Sequence, residues 1–379
     1  MMARRKTLEI LACIAISIVC CGSSSTAEVD LADNAALQYW KAFASLPDFS
    51  SEQTDAVREA LKEGVIDGSL EKIIESSGPA FREMRKGAQI NNCEWGISFE
   101  EGPDASLPHL GKARQLARLA CLRAEMSFQD ERSADAIDDI VMAFTLGRHV
   151  GRDAILISLL VDYSIERMAL ETVASHLQSL DADELSILAD KLGKSPERPT
   201  VAQAVAAEKE LLGGWVIRIL QKPDGKEQLF ALFSDVPDVQ KNMDKYSREE
   251  LLDGAKELQG FYDKLIEAVA LSPDEAKRAE ERLKANPGFG EPGKEFAQSL
   301  VPAIGSTRRV EAAHETRLAM LRAAIAVARD GQEVLKKDAY RDPFGTGPFA
   351  YKKTNGGFRL QGALEDRHGQ PIALEVGRP

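Results

Sequence analysis

Apolar residues return every three or four positions along most of the chain, the period of a helix with one buried face. Residues 31–62 read as helix, with Trp40, Phe43 and Leu46 three apart, and Pro47 stops the first piece. Short helices are expected over Leu70–Glu75 and Pro79–Lys86, broken by glycines. Asn91 to Pro108 is rich in Gly, Asp, Asn and Pro and reads as loop. Helix returns near Leu110, where Leu110, Ala113, Ala117, Ala120 and Ala124 share a face. Ser133–Val150 carries a broad stripe of Ile137, Ile140, Val141, Phe144 and Leu146. Asp153–Leu177 is apolar nearly all round, the pattern of a helix enclosed by other helices. Asp153 suits its N-cap, and Gly151 suits a tight link between the two helices.

The stretch Gly193–Thr200 (GKSPERPT) reads as a hinge. Helix resumes over Val201–Gln221, more weakly over Lys226–Leu271 and Pro273–Lys284, and breaks at Asn286–Gly293. A long helix is expected from Ser306 to about Lys336. The tail then changes period. FAYKKTNGGFRLQG alternates around Asn355-Gly356-Gly357, which predicts a β-hairpin of Phe349–Lys352 against Phe358–Gln361. The fold class expected is mainly α: stacked antiparallel α-hairpins, as an irregular α-solenoid or bundle, with a small C-terminal β-hairpin. The expected division is a signal peptide (1–27), an N-terminal helical domain (28–195), a second helical region (196–337) and a β-hairpin segment (338–379).

Composition changes the picture in two ways. The formal charge is −12, which argues against nucleic acid as a partner, since phosphate backbones need clustered positive charge. The first 27 residues carry Arg4, Arg5 and Lys6, an apolar stretch too short to span a bilayer, and a small-residue exit at Ser25 and Ala27. That layout is a secretory signal cut after Ala27. It predicts an exported chain, periplasmic or in the cell envelope, with no transmembrane helix after cleavage. Cys20 or Cys21 as a lipidated cysteine is the alternative. After the cut Cys93 and Cys121 remain, an even pair in an oxidising compartment, and a disulfide between them is expected.

Candidate chemistry gathers between those cysteines. Glu94, Glu100, Glu101 and Asp104 precede Lys112, Arg114 and Arg118, and His109 lies where loop becomes helix. An acidic loop folded onto its own basic helix accounts for this, with Trp95 supplying apolar area. The catalytic alternative casts His109 as a base oriented by Glu100 or Glu101. Elsewhere, Asp162 and Glu166 lie four apart and read as one wet stripe on an apolar helix. Glu311 and His314 form a single Glu-x-x-His, where a di-iron bundle needs two. Ser69-x-x-Lys72 lacks the sheet that a serine–lysine enzyme would place beside it. No metal or cofactor is expected.

The segments CEWGISFEEGP…LPHLGKARQLARL and GRHVGRDAILISLLVDYSIE resemble uncharacterised exported helical proteins common in planctomycete bacteria, over most of residues 35–180. The resemblance implies export and a helical fold and carries no activity. DPFGTGPFAYKKTNGGFRL (Asp342–Leu360) is similar to the C-terminal β segment of pseudopilins, which implies a small added sheet. The expected function is a non-catalytic interaction or scaffold module that binds a protein partner in the envelope, with Trp95, Arg114 and Arg118 as its binding residues. The alternative is an envelope hydrolase with its site around His109 and Glu100 or Glu101.

Overall fold

A computed structural model describes residues 33–232, 237–288, 290–300 and 304–378. The signal sequence expected over 1–27, with Cys20 and Cys21, lies outside them. The chain is mainly helical and ends in a small antiparallel sheet.

The N-terminal helices are α1 (Ala35–Ala44), α2 (Ser51–Glu63), α3 (Gly68–Ser76) and α4 (Gly78–Ala88). Asn34 caps α1: its Oδ1 accepts from Ala36 N at 3.1 Å and from Glu94 N at 2.9 Å, and its Nδ2 donates to Glu94 O at 2.9 Å. One side chain thus starts a helix and pins the loop that follows α4.

Three long helices come next: α5 (Pro108–Gln129), α6 (Ser133–Gly151) and α7 (Leu156–Ala174). Their links are short, so they run antiparallel and pack as hairpins. Leu116, Leu119 and Leu122 of α5 and Ile137 and Ile140 of α6 are fully buried, each contributing about 1.5–3 kcal/mol. Both tight links contain a non-glycine residue with positive φ, Glu131 (58°) and Ala154 (53°). The α6–α7 contact is unusually close. A Cβ on Gly147 would lie 3.0 Å from Asp162 Oδ1, and one on Gly151 would lie 3.0 Å from Oδ2. The N-cap of α7 is Ile155, not Asp153, which turns instead toward His109.

After α8 (Ala182–Gly193), a second apolar core forms from α9 (Val201–Glu208), a π turn (Lys209–Gly213), α10 (Gly214–Leu220), α11 (Gly225–Leu232), α12 (Pro237–Met243), α13 (Arg248–Val269), α14 (Pro273–Ala285) and α15 (Gly293–Leu300). Leu251, Leu258, Phe261 and Leu265 of α13 lie at its centre, and Leu156, Leu159 and Tyr163 of α7 complete it. Glu208 accepts from Leu156 N at 3.0 Å, tying α9 to the start of α7.

The helix α16 (Ile304–Asp330) joins the two cores. Ile304 belongs to the second, while Ala313 and Met320 to Val327 pack into the first. Its first turn is held by Glu280, which accepts from Gly305 N at 2.6 Å. The helix ends at Asp330, six residues before the expected end, because Gly331 takes φ 85° and a 3-10 turn follows. The sheet order is β1 (Ala350–Lys353), β2 (Phe358–Glu365), β3 (Pro371–Val376), all antiparallel. β1 pairs with β2 from Ala350↔Gln361 to Lys353↔Phe358, which is the expected hairpin. β3 was not expected; its Ile372, Leu374 and Val376 join the first core beside Phe358 and Leu360. The tail is pinned by Arg378, which donates to both oxygens of the buried Glu125 (Nη2 to Oε2 at 2.8 Å), where His176 also binds at 2.9 Å. Burial alone would raise the Glu125 pKa; His176, Arg378 and Gln129 outweigh it and hold the group below the usual range.

Candidate functional site

The stretch between the two cysteines folds into a closed aromatic cluster. Trp95 stacks on Tyr39, Phe43 and His109, with ring centroids 5.7, 5.9 and 4.7 Å away, and its indole N–H donates to His149 O at 2.9 Å. Tyr39 Oη lies 2.9 Å from His149 Nδ1, and burial pushes the His149 pKa down to about 4. His109 has no solvent-accessible surface, and its carboxylate neighbour is Asp153, 2.9 Å from Nε2. Glu100 and Glu101 are exposed and form no ion pair among the described residues. The acidic loop does not fold onto the basic helix through salt bridges: among the described residues Arg114 and Arg118 have no acidic partner, Arg114 Nε is buried without a hydrogen bond, and burial together with Arg58 and Arg114 lowers the Arg118 pKa.

The disulfide is a correction. Cys93 and Cys121 are free, buried thiols in different surroundings. Cys93 sits against Ala36 and the Asp153 side, whereas Cys121 lies in mid α5 beside Thr172 and Asp139. Burial raises both thiol pKa values, that of Cys121 to about 12, so neither is a nucleophile at neutral pH.

The carboxylates read as a wet stripe on α7 are instead wholly buried. Glu166 binds Arg148, accepts from His314 Nε2 at 2.6 Å and meets Arg198 Nη1 at 3.1 Å. Asp162 meets the same Arg198 at 3.3 Å. Burial and the neighbouring Glu166 charge raise the Asp162 pKa well above the carboxylate range. Burial acts the same way on Glu166, but His314 and the two arginines outweigh it and keep Glu166 ionised. Burial lowers the His314 pKa, so a neutral ring donates its Nε2 proton to Glu166. The other half of the Glu-x-x-His pair faces elsewhere: Glu311 accepts from Val201 N at 2.9 Å, at the N-terminus of α9, where the helix dipole favours negative charge.

His314 and Tyr163, stacked with centroids 4.8 Å apart, reach the floor of a cleft of about 990 Å³. The walls are α7, α14, α16 and the β2–β3 turn. Five cationic side chains line it, Arg167, Lys277, Arg309, Arg317 and Arg367, against two acidic ones, Glu365 and Asp366. Arg167 pairs with Glu171, and Arg309 with Asp274. Arg317 is half-buried, donates only to Ala313 O at 3.3 Å, and forms no ion pair among the described residues; burial and Arg167 lower its pKa. The excess of cations, set among apolar residues, biases the field in the cleft toward anions. Among the described residues, the hydrogen-bond partner of His314 is a carboxylate and not a hydroxyl or thiol, and no three His, Cys, Asp or Glu side chains group as metal ligands. No helix among them is long and apolar enough to cross a membrane.

Sequence reasoning missed this cleft because its cations come from four separate elements. One signal was legible: Arg309, Ala313 and Arg317 lie four apart, a basic stripe on one face of α16. Arg198, in the segment read as a hinge, gave no sign that it reaches the α7 carboxylates. Compared with known proteins, the chain matches no family model, no curated protein and no solved structure.

Proposed function

We propose that the protein is an exported, non-catalytic binding module of the cell envelope whose protein partner presents an acidic segment to the cleft between α7, α14, α16 and the β2–β3 turn. The observation that carries this is the excess of five cationic side chains over two acidic ones in one cleft of a chain with a net charge of −12, with Arg317 half-buried and in no ion pair among the described residues. Arg317 feels the charges of Glu171 and Asp366 but has no carboxylate within ion-pair reach among the described residues, and an incoming carboxylate supplies that direct contact. The cations on either side of Arg317 are exposed or already paired, so they attract and orient rather than anchor.

The alternative, a hydrolase built on His109, has less support. A catalytic base must reach substrate, and His109 is enclosed by Trp95 and Asp153.

The test is fluorescence anisotropy with a labelled oligoglutamate peptide. Binding is expected to weaken as salt rises and to fall about ten-fold in Arg317→Ala, in line with loss of one charge-assisted contact. Equal affinity for oligolysine, or an unchanged affinity in Arg317→Ala, overturns the reading.

A further inference from the structure

A second, smaller pocket of about 280 Å³ lies between α6, α8 and α16, away from the basic cleft. Its floor is apolar: Phe144, Leu192, Leu318, Leu321, Ile325 and Ala326. Its polar lining is of one sign. Arg148, Arg322 and Arg329 line it, and no carboxylate does. Two of the three arginines are engaged, Arg148 with Glu166 and Arg329 with Asp330. Arg322 forms no ion pair among the described residues. The hydroxyl of Ser195, also in the lining, is buried and has no hydrogen-bond partner.

We propose that this pocket binds a small amphiphilic acid, with the alkyl or aryl body on the α6–α8–α16 floor and the carboxylate at Arg322 and Ser195. The volume equals that of roughly nine liquid water molecules at about 30 Å³ each, enough for a chain of about eight carbons and too little for a two-chain lipid. An apolar cavity with a few convergent polar groups is the usual form of a small-molecule site. The lone arginine supplies charge, and the serine supplies the donor that is otherwise left unsatisfied. A cationic amphiphile finds no carboxylate in this lining, and a neutral one gains no charge-assisted contact with Arg322.

Isothermal calorimetry of the folded protein with sodium octanoate tests this, with octylammonium and octanol as controls. Octanoate is expected to saturate one site and octanol to bind about ten-fold more weakly or worse. Arg322 is exposed, so Arg322→Glu keeps the fold, checked by circular dichroism, and is expected to abolish octanoate binding. Ala326→Phe fills the floor and is expected to do the same. Ser195→Ala is expected to weaken binding several-fold, and Arg317→Ala, in the other cleft, to leave it unchanged. The proposal is overturned if octanoate does not saturate, if octanol binds equally well, if Arg322→Glu has no effect, or if Arg317→Ala removes binding.

Discussion

Glu166 and Asp162 lie one turn apart on α7, both wholly buried, and their surroundings push their pKa values in opposite directions, Glu166 down and Asp162 up. Glu166 is surrounded by Arg148, Arg198 and His314, while Asp162 has only Arg198, at 3.3 Å, and rests against the Gly147 and Gly151 backbone of α6 with one oxygen unbonded. The two isosteric amides should therefore behave differently. Glu166→Gln removes the carboxylate of Arg148 and the nearer of the two that meet Arg198, and is expected to cost about 3–5 kcal/mol. Asp162→Asn replaces a carboxyl whose raised pKa favours the protonated form, and is expected to cost under about 1 kcal/mol. Urea unfolding of both variants at pH 7 checks the contrast; equal losses would count against separate charge states.

Glu208 gives a pH signature of a definite sign. Burial raises its pKa to about 7, against an ordinary 4.5, and the bond from Leu156 N only partly offsets this. The protonated form is favoured by folding, so the stability it contributes is complete below about pH 4.5 and is lost as pH rises through 7. Relative to the parent, Glu208→Gln is expected to show a flatter profile between those values. Thermal melts at pH 4.5, 6 and 8 decide it, and parallel profiles would remove Glu208 as the cause.

Ala154, in the α6–α7 link, takes φ 53°, where a Cβ crowds the following carbonyl. Ala154→Gly is expected to stabilise by about 0.5–1 kcal/mol, the relieved strain outweighing the added freedom of the unfolded chain. Chemical denaturation measures it, and a destabilised variant would mean the turn gains more from the methyl group than it loses.

The two thiols offer a chemical check on the missing bridge. Both are buried, and burial raises both pKa values. Maleimide labelling of the folded chain from Glu28 onward, whose only thiols are Cys93 and Cys121, is expected to be slow, with two groups taken up in denaturant without any reductant. Uptake that requires a reductant would restore the Cys93–Cys121 bond.

The helices were legible where the 3.6-residue period was strong, as in Ser133–Val150, and the apolar run after Asp153 was rightly read as enclosed. The error on Asp162 and Glu166 had a physical source. Polar residues on an apolar helix face water unless partners arrive from elsewhere, and here Arg148, Arg198 and His314 come from three other segments. Gly147 and Gly151, four apart, were the visible sign of a close helix contact. β3 was missed because six residues, Pro371–Val376, carry too little alternation to stand out. The cleft was illegible for a different reason: Arg167 and Arg367 are two hundred positions apart in the chain and meet only through α16 and the sheet.

The path of α16 has a consequence for how the molecule comes into being. The first core begins at Ala35 but takes in Ala313, Met320 to Val327 and Val376. A growing chain that has reached Leu188 already holds the helices of that core, yet not the side chains that close it. At about 5–20 residues per second, the missing strut and sheet arrive roughly 10–40 s later. During that interval the faces of α7 and α8 that α16 covers, and the face of α7 that β3 covers, stay open to solvent.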